Sequence, residues 1–327
     1  MAYDNQGNLQ TVKDGNFNTS TYQWENGAIS SIINPIPDYT INREINWNGT
    51  VASETDGRGC SECTTRFEYD NAMRLTKKIP PMGGNPTFYT YQFGANAYTR
   101  QTRGGFSTTT WYDGLGREVS TTDSIGNRAD THFSSCGLKD YTTSNTGDKQ
   151  YYDHLGRLYK TVHKDDTQIN YTNHSDRHIT ITDEDNKITN LSFDTFADPS
   201  EKYLRTVTDP LTNNATYSYN VLGSLTAANY PGLSYAFQYN DLTNLLDRET
   251  RPDGSIAIYT HDDVGNVLSK DDSLDRKIYQ YDDINRLTSV TAGVESLGYT
   301  YDNADNLVNM TSKDSIVSHS YDGANRL

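Results

Sequence analysis

A short motif recurs along almost the whole chain of 327 residues and limits the folds that the chain can adopt. Each copy joins an aromatic anchor, an acid, a turn-forming stretch, a cation or amide, and an aliphatic residue, as in residues 111–119, Trp-Tyr-Asp-Gly-Leu-Gly-Arg-Glu-Val. From Tyr3 to Tyr321 the anchors advance by 318 residues in 15 steps, a mean of about 21 residues. A fixed period of this size is typical of a repeat protein, so residues 1–327 are predicted to form a single repeat array. The anchors are Tyr3, Trp24, Trp47, Tyr69, Tyr91 or Phe93, Tyr112, Phe133, Tyr152, Tyr171, Phe193, Tyr219, Tyr239, His261, Tyr281, Tyr301 and Tyr321.

Within each repeat the residues alternate as they do in a β-strand. Aromatic residues stand two positions apart in Phe67-Glu68-Tyr69 and Tyr299-Thr300-Tyr301, which places both rings on one face of an extended chain. Thr, Tyr, Val and Ile flank these pairs, whereas the frequent Gly, Asn, Asp and Thr residues weaken helix interiors. The predicted fold class is therefore all-β.

A turn, called the anchor turn below, is predicted after each aromatic anchor. Four residues after the anchor the chain carries a residue that tolerates a positive φ angle, namely Gly7, Gly116, Gly156, Gly223, Asn285, Asp305 or Asn325. The aspartate that begins the turn is expected to accept backbone N–H bonds, and the Arg or Asn beyond it to cover an aromatic face or pair with the neighbouring acid. Each repeat thus reads as one β-hairpin, joined to the next by a linking turn such as Asp253-Gly254.

The hairpins are expected to pair edge to edge in one ribbon, because a lone hairpin is marginal in water. The ribbon would contain about 16 antiparallel β-hairpins, with Tyr stacked on Tyr and Leu on Leu. About 32 strands at roughly 4.8 Å give a length of about 150 Å, which wraps once around a circle about 50 Å across, as a collar with exposed strand edges at both ends. Two segments interrupt the period: residues 79–86, predicted to be a surface loop, and residues 195–204, predicted to be an inserted loop or short helix.

The composition indicates an ordered protein without affinity for polyanions. A mean hydropathy of −0.80 and 34% apolar residues lean towards disorder, but 25 Tyr, 9 Phe and 3 Trp at regular spacing are what disordered segments lack. The net charge of −15 argues against nucleic acid or an anionic membrane as a partner. No secretory signal peptide and no apolar run long enough for a membrane span are found in the sequence.

No motif predicts catalysis, a cofactor or a bound metal. Cys60 and Cys63 have the spacing of half a zinc site or of a redox pair, but no second pair follows, so a local disulfide or free thiols are favoured over zinc. Cys136 is a single, distant cysteine. His174 and His178 are four residues apart, yet in a strand these positions lie far from each other, which favours two unconnected surface residues. Residues 183–186 lack the glycine and terminal glutamate of a calcium loop and are predicted to form an acidic turn.

The repeated motif Tyr-Asp-x-x-Gly/Asn-Arg/Asn-Leu resembles the tyrosine–aspartate (YD) repeats of the Rhs family, which are shared with the C component of insecticidal Tc toxins, teneurins and bacterial wall-associated proteins. The resemblance covers essentially all of residues 1–327. It implies a spiralling ribbon of hairpins that forms part of a hollow β-shell. In Rhs and Tc proteins this shell encloses a C-terminal toxin, and in teneurins it is a scaffold for cell-surface recognition.

The resemblance predicts a function without enzyme activity: a shell segment that, in the full-length protein, encapsulates or presents a C-terminal toxin or effector polypeptide. Secretion machinery or a cell-surface glycan would be further partners, and the expected location is secreted or at the cell surface, as in bacterial toxin delivery and interbacterial competition. Asp209-Pro210 shares only two residues with the family's Asp-Pro-x-Gly-Leu cleavage motif and lies in mid-array, so no cleavage is predicted there. The sequence begins and ends inside a repeat without a toxin domain, which predicts a segment of a longer protein.

Two other classes of function compete with the shell. A cell-surface or cell-wall module that binds carbohydrate or protein is the alternative, because aromatic repeats of about 20 residues also occur in choline- and glucan-binding proteins. Those arrays favour Gly-Trp and Trp-Tyr pairs, whereas this chain has 3 Trp. A polysaccharide hydrolase would need acids clustered in a cleft, and here the acids are spread evenly through the turns.

Overall fold

The computed structural model describes all residues except 37, 176, 196–201, 273–274 and 327. The described residues form 31 β-strands and two 3-10 helices, Ser61–Cys63 and Pro81–Gly83, and they contain no α-helix. The strands are β1 Ala2–Tyr3, β2 Leu9–Lys13, β3 Thr19–Glu25, β4 Ala28–Ile33, β5 Thr40–Ile45, β6 Val51–Thr55, β7 Thr64–Tyr69, β8 Leu75–Ile79, β9 Thr87–Gln92, β10 Ala97–Arg103, β11 Phe106–Tyr112, β12 Glu118–Asp123, β13 Arg128–Phe133, β14 Lys139–Thr143, β15 Lys149–Tyr152, β16 Leu158–Val162, β17 Gln168–Ser175, β18 His178–Thr182, β19 Ile188–Asp194, β20 Tyr203–Thr208, β21 Asn214–Tyr219, β22 Leu225–Tyr230, β23 Leu233–Tyr239, β24 Leu246–Thr250, β25 Ile256–His261, β26 Val267–Asp272, β27 Arg276–Tyr281, β28 Leu287–Ala292, β29 Glu295–Tyr301, β30 Leu307–Thr311 and β31 Ile316–Ser318.

All 31 strands belong to one antiparallel sheet, in which strands that follow each other in the sequence are neighbours. The strand that carries the anchor pairs with the strand after the anchor turn, as β27 does with β28, and the linking turn then leads to the next pair, β28 with β29. This order confirms the predicted all-β ribbon of hairpins. The alternation of faces is confirmed as well, because Phe67 and Tyr69 are half-buried on either side of the exposed Glu68.

A β-bulge at the anchor is a feature that the sequence did not predict. Tyr281 lies opposite Leu287, whereas the preceding Gln280 lies opposite Ser289, so one residue of the return strand has no partner. The same shift occurs one repeat later, between Thr300 and Tyr301. Because a bulge increases the local twist of a hairpin, the repeats that carry it change direction in the same way.

The predicted positions of positive φ are confirmed at every anchor turn where they were expected. The φ angles lie between 60° and 85° at Gly7, Gly116, Gly156, Gly223, Asn285, Asp305 and Asn325. Met73 occupies the equivalent position with a φ of 61°, although methionine has no special tolerance for this region. The turn geometry therefore prevails over the local preference of the residue.

The sheet has a thin core. Among the described residues, the buried apolar side chains are Tyr39, Ile45, Cys63, Ala228 and Ala257. The accessible surface of 20103 Å² compares with about 13,600 Å² for a compact monomer of 36.8 kDa. Much of both faces of the sheet therefore remains in contact with solvent, and backbone pairing and turn contacts carry a larger share of the stability than in an ordinary globular domain.

The two interruptions of the period are resolved differently. Residues 79–86 contain the 3-10 helix Pro81–Gly83 between β8 and β9, which agrees with the predicted surface loop. Of the predicted insertion at 195–204, residues 196–201 lie outside the described residues. Tyr203 and Leu204 already belong to β20, so this part of the prediction is wrong and the interruption is shorter than expected.

The chain divides into two compact units. Unit one consists of Met1–Tyr89 together with Ala257–Leu327, and it thus joins the first repeats to the last ones. Unit two is the continuous segment Thr90–Ile256, in which β10 to β24 form consecutive hairpins.

Candidate functional site: the anchor turn and the seam of unit one

The aspartate of the anchor turn organises the turn through both of its carboxylate oxygens. Asp113 Oδ1 accepts the backbone N–H groups of Leu115 at 2.9 Å and Arg117 at 3.0 Å, and Oδ2 accepts Arg117 Nε–H at 2.8 Å. The side chain of Arg117, and then its backbone N–H, hold the pKa of Asp113 below its ordinary value. Asp113 is therefore a structural carboxylate that is ionised at neutral pH.

The same arrangement recurs along the chain, with either Arg or Asn four residues after the aspartate. Both side chains donate an N–H to the second carboxylate oxygen, which explains why the motif accepts either. The pairs include Asp4–Asn8, Asp70–Arg74, Asp153–Arg157, Asp282–Arg286, Asp302–Asn306 and Asp322–Arg326. Linking turns use it too, in Asp14–Asn18, Asp123–Asn127 and Asp209–Asn213.

The cation of one anchor turn also covers the aromatic anchor of the next repeat. The guanidinium of Arg117 lies 3.9 Å from the ring centroid of Phe133, and that of Arg286 lies 4.8 Å from the ring of Tyr301. Both predicted roles of the basic residue, pairing with the acid and covering a ring, are thus observed in one side chain.

The anchor tyrosine is fixed by its hydroxyl group, which the sequence reasoning missed. In five repeats the hydroxyl donates to the backbone carbonyl of the aliphatic residue at or next to the start of the return strand of the preceding repeat, at 2.8 to 3.1 Å. The pairs are Tyr219–Leu204, Tyr239–Leu225, Tyr281–Val267, Tyr301–Leu287 and Tyr321–Leu307. Within the described residues the rings of Tyr281, Tyr301 and Tyr321 do not contact each other, so the predicted stacking of Tyr on Tyr is wrong for them. The preference for Tyr over Phe, 25 against 9, was the available signal.

Linking turns near the start of the chain contact anchor turns near its end, and we call this set of contacts the seam of unit one. Asn16 Nδ2 donates to Asp262 Oδ2 at 2.8 Å, and Asn303 Nδ2 donates to the backbone carbonyl of Asp38 at 3.1 Å. These partners are separated by 246 and 265 residues in the sequence. The last repeats therefore lie beside the first ones in unit one.

A tyrosine of the first repeats is buried in this seam. Tyr39 is 7% exposed, and its hydroxyl donates to Asp305 Oδ2 at 3.0 Å, while Asp305 Oδ1 accepts Arg286 Nη1–H at 2.8 Å. Burial, followed by the hydrogen bond to Asp305, raises the pKa of Tyr39 to about 12. Tyr39 consequently stays a neutral donor over the whole physiological range.

Arginine and glycine form the next part of the seam. Arg58 is paired with Asp56 at 2.6 Å and donates to the backbone carbonyls of Asp322 at 3.0 Å and Gly323 at 3.1 Å. A Cβ atom at Gly57 would overlap the backbone carbonyl of Asn303 and the ring of Tyr39. The seam thus brings backbones together so closely that only glycine fits.

The seam also covers the third residue of the anchor turn, which is apolar in many repeats. In unit two this residue is mostly solvent-exposed: Leu115 78%, Leu155 63%, Leu222 66% and Leu242 96%. In unit one the equivalent Ile284, Ala304 and Ala324 are half-buried, whereas Val264 is 36% exposed. The seam therefore covers this residue in the anchor turns that begin at Asp302 and Asp322, but not in the one that begins at Asp262.

The cysteine pair forms a disulfide, one of the two states left open by the sequence. Cys60 and Cys63 are bonded, with their Cα atoms 5.1 Å apart, and Cys136 is a free, exposed cysteine. Among the residues that the structure describes, no three His, Cys, Asp or Glu side chains are placed so that they could hold a metal ion. Within the same residues, no helix has the length and apolarity that a membrane span needs.

The remaining candidate residues lie in a hairpin and in two linking turns. His174 and His178 are exposed as predicted, but the expected distance between them is wrong: the hairpin of β17 and β18 brings their ring centroids to 5.3 Å. Asp183 accepts the N–H groups of Asp185 and Lys187, which confirms the acidic turn. Asp209 begins a turn of the same type, with a φ of 67° at Thr212.

Comparison with solved structures identifies the fold. Over 99% of its length the chain is similar to a mutant form of the Tc holotoxin pore of Photorhabdus luminescens, with a TM-score of 0.69 and 14% identity. It is also similar to crystal structures of TcdB2-TccC3-TEV, with a TM-score of 0.61, and TcdB2-TccC3-Cdc42, with a TM-score of 0.54, each at 13% identity over 99% and 94% of the chain. No protein-family model matches the chain, and no curated protein matches its sequence.

These similarities confirm the predicted resemblance to Tc toxin components at the level of the fold. The chain spans about a fifth of the length of the structures that it matches, 22% of the holotoxin chain and 21% of the TcdB2-TccC3-Cdc42 chain. At 13 to 14% identity the likeness is one of fold.

Proposed function

We propose that this chain, which has the fold of Tc toxin components, is a non-enzymatic wall segment that encloses or presents a C-terminal toxin or effector polypeptide in the full-length protein. The seam of unit one is the observation that carries the proposal. It joins hairpins about 250 residues apart through turn side chains and backbone carbonyls, without pairing strand edges. A sheet whose first and last repeats are also joined side by side, as in unit one, hinders the passage of another polypeptide. We place the full-length protein outside the cytoplasm, secreted or at the cell surface.

The proposed mechanism is steric exclusion by a wall with a polar lining. On one face of the sheet, small polar side chains are hydrogen-bonded in pairs across neighbouring strands: Thr260–Ser269, Gln280–Ser289 and Thr300–Asn309. These side chains use part of their hydrogen-bonding capacity on each other, and they are themselves polar groups that offer little apolar surface to an unfolded chain. A cargo next to such a face would be held in place without being bound.

The proposal is tested by digestion of the full-length protein with a broad-specificity protease. We expect the polypeptide that follows the repeats to stay intact in the wild type and to be cut faster when Gly57→Leu opens the seam. Gly114→Ala is the matched control, because a Cβ atom at Gly114 meets no atom within 4 Å. Digestion of the wild-type cargo at the rate of the free cargo would overturn the proposal.

A groove in unit two favours a second candidate function, a module that binds carbohydrate or protein at a cell surface. The groove has a volume of about 510 Å³ and is lined by Leu225, Ala228, Tyr230, Leu233, Tyr235 and Phe237. Exposed aromatic faces of this kind can stack on sugar rings or hold an apolar side chain. Binding on a glycan array that Tyr235→Ala abolishes and Tyr171→Ala leaves intact would support this candidate, and the absence of any binding would exclude glycan.

A further inference from the structure

The Cys60–Cys63 disulfide lies in the linking turn that forms one end of the seam. It closes the 3-10 helix Ser61–Cys63, in which Cys63 N–H donates to the backbone carbonyl of Cys60 at 3.0 Å. Cys63 is 2% exposed, whereas Cys60 is exposed. One cysteine of the pair is thus accessible to a reagent in solution, and the other is packed inside the turn.

The same linking turn holds the anchor turn 322–326. Arg58, two residues before Cys60, donates to the backbone carbonyls of Asp322 and Gly323 while Asp56 fixes its guanidinium. The side chain of Arg58 is only 15% exposed. Its reach across the seam therefore depends on the conformation of the turn from Asp56 to Cys63.

The ring closed by the disulfide also touches the opposite turn directly. A Cβ atom added to Gly323 would lie 2.6 Å from the backbone carbonyl of Glu62, which is inside that ring. It would lie equally close to Met82 Cγ, and Gly323 N–H donates to Met82 Sδ at 2.7 Å. A change in the backbone of residues 60–63 would therefore change the packing against Gly323 directly.

We propose that Cys60–Cys63 is a site of thiol–disulfide exchange whose redox state controls the contact between linking turn 56–63 and anchor turn 322–326. The reaction partner is a dithiol reductant. Its thiolate attacks the sulfur of Cys60, a mixed disulfide forms, and Cys63 leaves as a thiolate that takes up a proton. The second thiol of the reductant then displaces Cys60, so that the reductant ends as a disulfide and the protein gains two electrons and two protons.

Reduction loosens the turn because it removes the covalent bond that closes it. The turn then depends on three backbone hydrogen bonds, from Cys63 N–H to the carbonyl of Cys60, from Asp56 N–H to the carbonyl of Cys63 and from Gly59 N–H to the carbonyl of Asp56, and on packing. Arg58 then samples more conformations, and the carbonyls of Asp322 and Gly323 lose their donor for part of the time. The expected result is local opening at this end of the seam, while the contact between Asn16 and Asp262, three repeats away from turn 322–326, stays closed.

The test is hydrogen exchange of the whole chain, with Cys136 alkylated beforehand and the Cys60–Cys63 pair either oxidised or reduced with dithiothreitol. We expect the amides of residues 322–326 to exchange at least about tenfold faster after reduction, and reoxidation to restore protection. Amides next to Asp262 and in β21 to β23 serve as internal controls and should not change. Arg58→Ala in the oxidised protein should accelerate exchange of the same amides and remove their response to dithiothreitol.

Three results would overturn the proposal. Dithiothreitol could release no thiol from the native protein, which would show that the pair does not exchange. Two thiols could appear without any change at residues 322–326, which would show that the disulfide does not control the contact. Loss of protection throughout unit two as well would show general unfolding rather than local opening.

Discussion

At the scale of single residues, each repeat depends on a few polar groups that bind backbone atoms. The carboxylate of Asp113 accepts two backbone N–H groups of its own turn and the Nε–H of the Arg117 side chain. The hydroxyl of Tyr301 donates to the backbone carbonyl of Leu287 in the preceding repeat. Because the core is thin, these bonds replace part of the stabilisation that apolar burial provides in a globular domain. Stability should therefore respond to pH and to the loss of single hydroxyl groups.

The turn aspartates predict loss of stability in acid. The pKa values of Asp4, Asp70, Asp113, Asp209 and Asp322 are depressed in the folded chain. A depressed pKa contributes stability above the unfolded-state value of about 3.9, and this contribution disappears as the pH falls through the folded-state value. We expect the urea midpoint to be constant from pH 7 to pH 5 and to fall steadily below about pH 4. An unchanged midpoint down to pH 2.5 would contradict this assignment.

The anchor hydroxyl predicts a difference between two tyrosines of the same strand. Tyr301→Phe removes the donor to Leu287 and should lower the free energy of unfolding by about 1 kcal/mol. Tyr299→Phe is the control, since its hydroxyl makes no hydrogen bond within the described residues and its ring is half-buried like that of Tyr301. Equal effects of the two substitutions in urea denaturation would show that the hydroxyl bond contributes nothing.

At the scale of the element, the unit is a hairpin with a fixed turn and a fixed bulge. The turn places one residue at positive φ, and the bulge shifts the register by one residue at anchors such as Tyr281 and Tyr301. The positive φ angle and the register shift recur in the same direction, so the hairpins that carry them turn the chain in the same way. The turn glycines and asparagines thus act through backbone geometry and not through contacts of their side chains.

Two glycines of one anchor turn can distinguish the effect of backbone geometry from the effect of side-chain contacts. Gly116 has a φ of 77°, whereas Gly114 has no positive φ, and a Cβ atom at either position meets no atom within 4 Å. We expect Gly116→Ala to destabilise the chain by about 1 to 2 kcal/mol, because alanine is strained at this φ angle. Gly114→Ala should be neutral or stabilising by about 0.5 kcal/mol, since it restricts the unfolded chain. The stabilities of the two variants are compared by thermal denaturation. Equal losses of stability would refute the role of backbone strain.

The hairpins and their turns could be predicted from the sequence because their causes are local. Aromatic residues two apart, and Gly or Asn four residues after the anchor, are visible in any one repeat. The bulge could not be predicted, since it leaves the order of residues unchanged and alters only their pairing. The proximity of His174 and His178 was missed because the turn between them was taken as continuous strand. The seam depends on residues about 250 positions apart, and no local pattern marks Tyr39 as the partner of Asp305.

At the scale of the whole molecule, contacts of two kinds hold unit one together. Hairpins bind their neighbours through backbone pairing, and the seam joins the first repeats to the last through a small number of side chains and close backbone contacts. The contacts of the seam are fewer than the backbone hydrogen bonds between hairpins. They nevertheless decide which distant repeats become neighbours. Disturbing it should open unit one without unpairing the hairpins.

Gly57 provides the substitution that tests this separation. Gly57→Ala places a methyl group into the carbonyl of Asn303 and the ring of Tyr39, so the seam must separate there. We expect faster hydrogen exchange and proteolysis around residues 39 and 303, with the far-ultraviolet circular dichroism of the sheet unchanged. Gly105→Ala is the control for the effect of a methyl group in an exposed linking turn, since it meets no atom within 4 Å, although its own φ of 88° carries a strain cost. Preserved protection at residue 303 in Gly57→Ala would contradict the role of the seam.

The long sequence separation across the seam has a consequence for synthesis on the ribosome. Asn16 emerges 246 residues before its partner Asp262, and at about 5 to 20 residues per second the interval is roughly 12 to 50 s. Hairpins form in about 1 to 10 μs, so the first repeats fold long before the last repeats are made. Until then one rim of the first repeats, formed by the linking turns that belong to the seam, remains uncovered. During this interval the rim is open to any other nascent chain with matching turns. The order in which the two sides are made therefore exposes newly synthesised chains to pairing with the wrong partner, and the local spacing of ribosomes on the messenger becomes a factor in correct assembly.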